Sequence, residues 1–253
     1  MLSDLNRLLK ELFFVSKILP FSLFIRWISG ANRCLDLLSK NRTLGALDQV
    51  FGESFDVLWS GKKLHFVQLD FGVVREIYGH LCYAAKGQLT EARHIFDLGA
   101  NGGAFTVFAL AEAPYAQVYA VEAQSELVEI VKHNVKQNGY EDRGIIQCAI
   151  VGGFYDDWTK SLLKSNPQIQ EFDIREYIAR VGICDFLKCD VEGGEFKLFQ
   201  GDLTWTQSVK SMALEFHPTK GNVNELEKTL KSQGFRVKRA DHSHLGYFYC
   251  TRD

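Results

Sequence analysis

Apolar positions along the first forty residues recur at spacings of three and four. From His94 onward they gather instead into short runs separated by helix-length amphipathic stretches. The first pattern is that of helices with one buried face. Leu2, Leu5, Leu9, Leu12 and Phe13 share a face of one predicted helix. Phe24, Trp27, Ile28, Ala31, Cys34, Leu35 and Leu38 share a face of a second, and Pro20 separates the two. Residues 55–59 and 63–67 flank Ser60-Gly61 as a β-hairpin, and 73–85 reads as a helix leading into the core.

The second pattern predicts strands at 94–98, 117–121, 144–149, 183–189 and 209–215, alternating with helices at 104–113, 125–138, 173–180, 196–200 and 223–232. Near-continuous apolar strands of this kind suit a parallel sheet covered on both faces. Residues 235–240 and 245–251 are joined by Asp241-His242-Ser243-His244, too short for a crossover helix, so these two strands must be antiparallel. The expectation is an α/β fold: a seven-stranded, mostly parallel sheet ending in an antiparallel hairpin, with an N-terminal helical extension. Residues 1–89 form that extension, serving as a lid, a substrate contact or an oligomer contact, and 90–253 form the ligand-binding domain. Residues 152–170 are the least regular stretch, either a loop over the site or an exposed insertion.

Composition changes this picture little. With 253 residues, 46% hydrophobic, the chain has ample core material, and its net charge of −2 carries no long block of like charge. A nucleic-acid partner is not expected; a small-molecule acceptor is. None of the six cysteines forms a C-x-x-C pair, so reduced, buried thiols and a cytoplasmic location are expected. Lys17, Pro20 and Arg26 interrupt the apolar 12–28 stretch, which argues against a spanning helix, and Asp4 with Glu11 argues against a signal peptide. The N-terminal helices pack on the domain or on a second copy in a homodimer, or make a peripheral membrane contact without insertion.

Two stretches carry chemistry. Asp97-Leu98-Gly99-Ala100-Asn101-Gly102-Gly103 runs off the first core strand into a helix, a turn that lets backbone approach a ligand at the sheet's carboxyl edge. Asn101 tolerates a left-handed backbone and stands in for a middle glycine. Glu122, 25 positions beyond Asp97 at the end of the next strand, is placed to accept hydrogen bonds from ribose hydroxyls. The spacing is not Gly-x-Gly-x-x-Gly, and a carboxylate at Asp97 would repel a pyrophosphate while suiting an ammonium. The cofactor this favours is S-adenosylmethionine, with Asp97, Gly99, Ala100, Asn101, Gly103, Glu122 and Ala149 as the binding set.

The second stretch, Asp185-Phe186-Leu187-Lys188-Cys189-Asp190-Val191-Glu192-Gly193-Gly194-Glu195, gathers Lys188, Asp190, Glu192 and Glu195 at the end of the fourth strand. Asp190 is a site candidate; Glu195 reads equally as a helix-start acid. Together with Val118–Glu122 and Leu214-Glu215-Phe216-His217, these motifs resemble the FkbM family of methyltransferases. Phe172-Asp173-Ile174 and the pair Asn134 and Asn138 are similar to further segments of that family, and the resemblance covers about half the chain, 95–217. It implies a Rossmann-like class I fold, S-adenosylmethionine as methyl donor, and O-methylation of a sugar, polyketide or other secondary metabolite. Ala123 departs from the family's proline after the acid.

An alcohol nucleophile profits from a base. Asp190 is the first candidate and His217 the second, since an unperturbed imidazole accepts a proton near neutrality. No metal is expected in the site, although Asp190, Glu192 and Glu215 offer oxygen ligands suited to magnesium. Lys188 is expected to pair with one of the acids. N-methylation, a macromolecular acceptor, and a non-catalytic binding protein with the same fold are the alternatives.

Overall fold

The computed structural model describes residues 2–30, 45–153, 156–242 and 244–252. Two helices open the chain, α1 (Leu2–Ile18) and α2 (Phe21–Ser29), with Pro20 between them. Their buried face is the expected one only in part: Leu12, Phe24 and Trp27 pack into the core. Val15, Ile18, Leu19 and Trp27 are buried, whereas Leu9 and Phe13 are more than half exposed, as is Phe21. Ala31, Cys34, Leu35 and Leu38 lie outside the described residues.

A hairpin follows, β1 (Ser54–Trp59) and β2 (Lys62–Val67), turning at Ser60 and Gly61 with φ of 47° and 75°. Two left-handed residues make the turn whose twist matches paired strands. The helix expected at 73–85 is shorter and irregular: α3 (Phe71–Val74) widens into a π-helix, Arg75–His80, which Leu81 ends in a left-handed conformation. Single π turns of this kind occur often near functional sites.

The sheet elements then run β3 (His94–Leu98), α4 (Ala104–Glu112), β4 (Gln117–Glu122), α5 (Ser125–Gln137), β5 (Gly144–Ile150), α6 (Asp157–Ser165), β6 (Gln170–Glu171), α7 (Ile174–Val181), β7 (Phe186–Cys189), α8 (Glu195–Leu198), β8 (Ser211–Phe216), α9 (Val223–Ser232), β9 (Arg236–Asp241) and β10 (Gly246–Thr251). Among the described residues the sheet has eight strands, not seven, in the order β6-β5-β4-β3-β7-β8-β10-β9. The additional strand is β6, two residues pairing with Ala149 and Ile150 at the end of the stretch expected to be irregular. That stretch also holds α6, whose N-terminus Asp156 and Thr159 close as a capping box. Strand β10 pairs antiparallel with both neighbours, as the short connection required.

Alternate residues of each strand feed opposite faces. Ile95, Val118, Ala120, Phe186 and Ala213 join one apolar cluster with α4, the hairpin, α1 and α2. Phe96, Tyr119, Val121, Leu187 and Leu214 join the other, with α7 and α9. The described residues before β3 therefore cover one face of the sheet. Asn134 and Asn138 fasten them there by imitating a neighbouring strand. The Asn134 side chain accepts from the Val67 N–H (2.9 Å) and the Asn138 side chain accepts from the His65 N–H (2.9 Å) and donates to the His65 carbonyl (2.7 Å).

Candidate active site

The order of strands reverses between β3 and β7, and a crevice opens beyond their carboxyl ends, where open α/β sheets bind ligands. A cleft of about 670 Å³, counting its open mouth, is lined there by Gly99, Asn101, Glu122, Leu127, Ala149 and Trp158, with Asp190 and Glu192 on its rim.

Backbone geometry sets the loop end. Gly99 has φ of 79°, and a Cβ on it would lie 1.7 Å from the Asp190 carbonyl oxygen. Only glycine lets the loops after β3 and β7 touch. Asn101 takes the left-handed conformation (φ 51°) expected of it, and its N–H donates to Glu122 at 2.9 Å. The other Glu122 oxygen accepts from the Gln124 N–H at 2.9 Å. Burial pushes the Glu122 carboxyl upward and these two N–H groups oppose it. The carboxylate retains lone pairs toward the cleft.

Four members of the expected binding set border the cleft: Gly99, Asn101, Glu122 and Ala149. Asp97, Ala100 and Gly103 sit behind it. Asp97 is fully buried, 3.1 Å from the Lys188 ammonium and accepting from the Thr106 hydroxyl at 2.6 Å. Lys188 also donates to the Gly99 carbonyl, which couples the ion pair to the glycine turn. Ala100 donates its N–H to the Val121 carbonyl, and Gly103 turns the chain into α4. The expected ammonium partner thus lies behind the cleft, paired with Lys188. Its ion pair is sealed under the loop.

At the other end, side chains from distant segments converge. The Tyr83 hydroxyl lies 2.9 Å from Asp190 and 2.9 Å from Glu215. One proton cannot serve two carboxylates. With Tyr83 donating to Asp190, the second contact is a hydrogen bond only when Glu215 is protonated and donates back. Glu215 is suited to that: burial first, then the Asp190 charge, raise its carboxyl to about 7, against the hydrogen bonds of Tyr83 and Tyr247.

His217 follows Phe216 at the end of β8. Its Nδ1 is 3.0 Å from Glu195, its Nε2 3.3 Å from Glu192 and 3.8 Å from Glu215. Glu195 is fully buried and also accepts from the backbone N–H of His217 and of Gly193. It therefore orients the imidazole, and is more than a helix-start acid. Burial alone would lower the His217 pKa, but the Glu195 hydrogen bond and the charges of Glu195, Glu192 and Asp190 raise it to about 9. The expected base therefore sits among acids that favour its charged form.

Asp190, Glu192 and His217 bring ligand atoms within 4.8 Å of one another, so this edge has the makings of a cation site as well as of a proton-transfer site. Tyr83 was not singled out in the sequence, whereas Glu195 was, with a helix-start role weighed equally. Tyr83 stands in a segment without motif, 107 positions from Asp190.

A cleft with a carboxylate for vicinal hydroxyls, an apolar wall of Leu127, Ala149, Ile150 and Val151, and an anionic rim is a donor set that fits an adenosine carrying a cationic tail. The profile of the methyltransferase FkbM domain matches residues 97–237. The chain is 26% identical to the 31-O-demethyl-FK506 methyltransferase FkbM of Streptomyces tacrolimicus, across 64% of this chain and 80% of that protein. It is 29% identical to the ribosomal RNA large subunit methyltransferase G of Serratia proteamaculans, across 51% of this chain and only 33% of the relative's length. Among solved structures, the METTL16 methyltransferase domain aligns at a TM-score of 0.45 and 14% identity, covering 71% of this chain and 67% of its own.

Proposed function

We propose, for a chain that belongs to the methyltransferase family defined by the FkbM domain, that the acceptor is a hydroxyl group on a small molecule such as a sugar, a polyketide or another secondary metabolite. The protein is an S-adenosylmethionine-dependent methyltransferase, and that cofactor supplies the methyl group as an electrophilic sulfonium. The observation that carries the hydroxyl reading is the group of proton acceptors on the cleft's rim, Asp190 linked through Tyr83 to Glu215. An alcohol must lose its proton as its oxygen is alkylated, and a positioned base lowers that barrier.

In this reading Glu122 and the 99–101 turn hold the adenosine, and Asp190 takes the hydroxyl proton. Tyr83 keeps Asp190 in place and ties its charge to Glu215. His217, clamped by Glu195, balances the negative charge of Glu192 and Glu195 beside the incoming oxygen. Trp158, 43% exposed at the mouth, screens the cleft from water.

A labelled-methyl assay over a panel of hydroxylated acceptors tests this. Asp190→Asn should lower kcat by about 100-fold or more while cofactor affinity stays within a few-fold. A large loss of affinity would make Asp190 a cofactor contact instead. The resemblance to a ribosomal RNA methyltransferase supplies the competing acceptor. Label transferred to ribosomal RNA, with none to hydroxylated small molecules, would contradict the proposal.

A further inference from the structure

The outward faces of α1 and α2 repeat the apolar spacing of their buried faces. Leu9 and Phe13 stand one turn apart on α1, 55% and 54% exposed. Phe21, Ile25 and Ile28 follow at intervals of four and three on α2, exposed by 79%, 47% and 38%. A helix in water normally keeps such a stripe for one side only. Here the second stripe points away from the core while Val15, Ile18 and Trp27 fill the first.

Cations border it. Lys10, Lys17 and Arg26 are exposed on the same two helices, and the Lys17 ammonium lies 3.9 Å from the Phe13 ring centroid. Residues 2–29 carry Arg7, Lys10, Lys17 and Arg26 against Asp4 and Glu11. Glu11 is turned inward, paired with Arg75 at 2.8 Å and His80 at 3.0 Å. Among the described side chains of α1 and α2, none carries an exposed negative charge.

We propose that this face docks on the surface of an anionic lipid bilayer, with the two helices lying in the interface plane. Exposed large apolar groups flanked by lysine and arginine are what in-plane helices present to such a surface, where apolar burial and headgroup attraction add. A second copy of this chain would set like charges against each other: the patch is self-repelling, which selects the lipid over a homodimer. Among the described residues no helix is long and apolar enough to cross a membrane, so the contact is peripheral.

The test is sedimentation of the full chain with vesicles, either phosphatidylcholine alone or phosphatidylcholine mixed with phosphatidylglycerol. The wild type should sediment with the mixed vesicles and weakly with the neutral ones, and added salt should release it. The exposed pair Phe21→Ser with Ile25→Ser should lower the partition coefficient about tenfold or more. Replacing Lys10, Lys17 and Arg26 by Gln should cost about fivefold per charge and erase the preference for anionic lipid. Calorimetric titration with S-adenosylmethionine serves as the folding control, since both variants should keep wild-type affinity. Failure of the wild type to bind anionic vesicles would overturn the proposal. So would a concentration-dependent dimer, seen by analytical ultracentrifugation, that the Phe21→Ser/Ile25→Ser variant dissolves.

Discussion

In the proposed reading the cleft has a cofactor end and a reacting end, and the two are built in different ways. At the cofactor end, continuous backbone does the work: the turn 99–103 leaves β3, Glu122 ends β4, and their N–H groups and one carboxylate fix each other within 25 positions of chain. At the reacting end nothing is contiguous. Tyr83 comes from the N-terminal layer, Asp190, Glu192 and Glu195 from the β7–α8 connection, and Glu215 and His217 from the end of β8. The first end depends on conformations that few residues adopt. The second depends on charges held close by burial. Substitutions should therefore separate the two, affinity failing at one and turnover at the other.

The largest effect is expected at the seam where the ends touch. Gly99→Ala forces a methyl group into the Asp190 carbonyl, at a backbone angle that disfavours any side chain. Cofactor binding should be lost to calorimetry and thermal stability should fall by about 2 kcal/mol or more. Near-normal binding would show that the loop after β3 has freedom the packing denies it.

Next comes Glu195→Gln. It keeps the shape of the side chain and removes the charge that orients His217, so kcat should fall about 100-fold with cofactor affinity within twofold. A matching loss of affinity would mean that Glu195 supports the cofactor end after all. Tyr83→Phe deletes one hydroxyl and should cost about tenfold in kcat. It should also shift the pH profile, since Glu215 loses a partner; an unshifted profile would detach Tyr83 from the proton-transfer group.

The charges make a further prediction in pH. Glu215 is raised to about 7, above its unfolded value, so the folded protein binds a proton there that the unfolded chain has released. Its contribution to stability is complete at low pH and falls as pH rises from about 4.5 to about 7. His217, raised to about 9, contributes fully below about 6.5 and loses that contribution as pH rises through about 9. Denaturant midpoints followed against pH should decline through both windows. Glu215→Gln should flatten the lower window and His217→Asn the upper; a change in the opposite window for either would reassign the charges.

The smallest effect lies away from the cleft. Asn138→Ala removes the side chain that pairs with His65 and should cost about 1–2 kcal/mol of stability with kcat unchanged.

How much was legible in the sequence follows the same division. The parallel core strands were readable because apolar runs bounded by helix signals have one economical arrangement, and the antiparallel pairing of β10 followed from a connection too short to cross over. Gly99, Asn101 and Glu122 were readable because they lie in one local stretch with a conformational reason for each residue. For Asp97 the sequence shows the carboxylate but not its ion pair, because Lys188 is 91 positions away. Tyr83 gave no local signal at all. The start of α6 did: Asp156 and Thr159 form a cap pattern inside a stretch taken as irregular. On α1 the spacing of Leu9 and Phe13 was read correctly as helical, but spacing alone does not say which of two apolar faces meets the core.

Calorimetric titration of S-adenosylmethionine into two variants tests the division of the cleft most directly. Glu122→Ala should weaken binding at least about tenfold, and His217→Asn should leave the Kd within twofold of wild type while abolishing most turnover. Equal weakening in both variants, or full affinity in Glu122→Ala, would contradict the account.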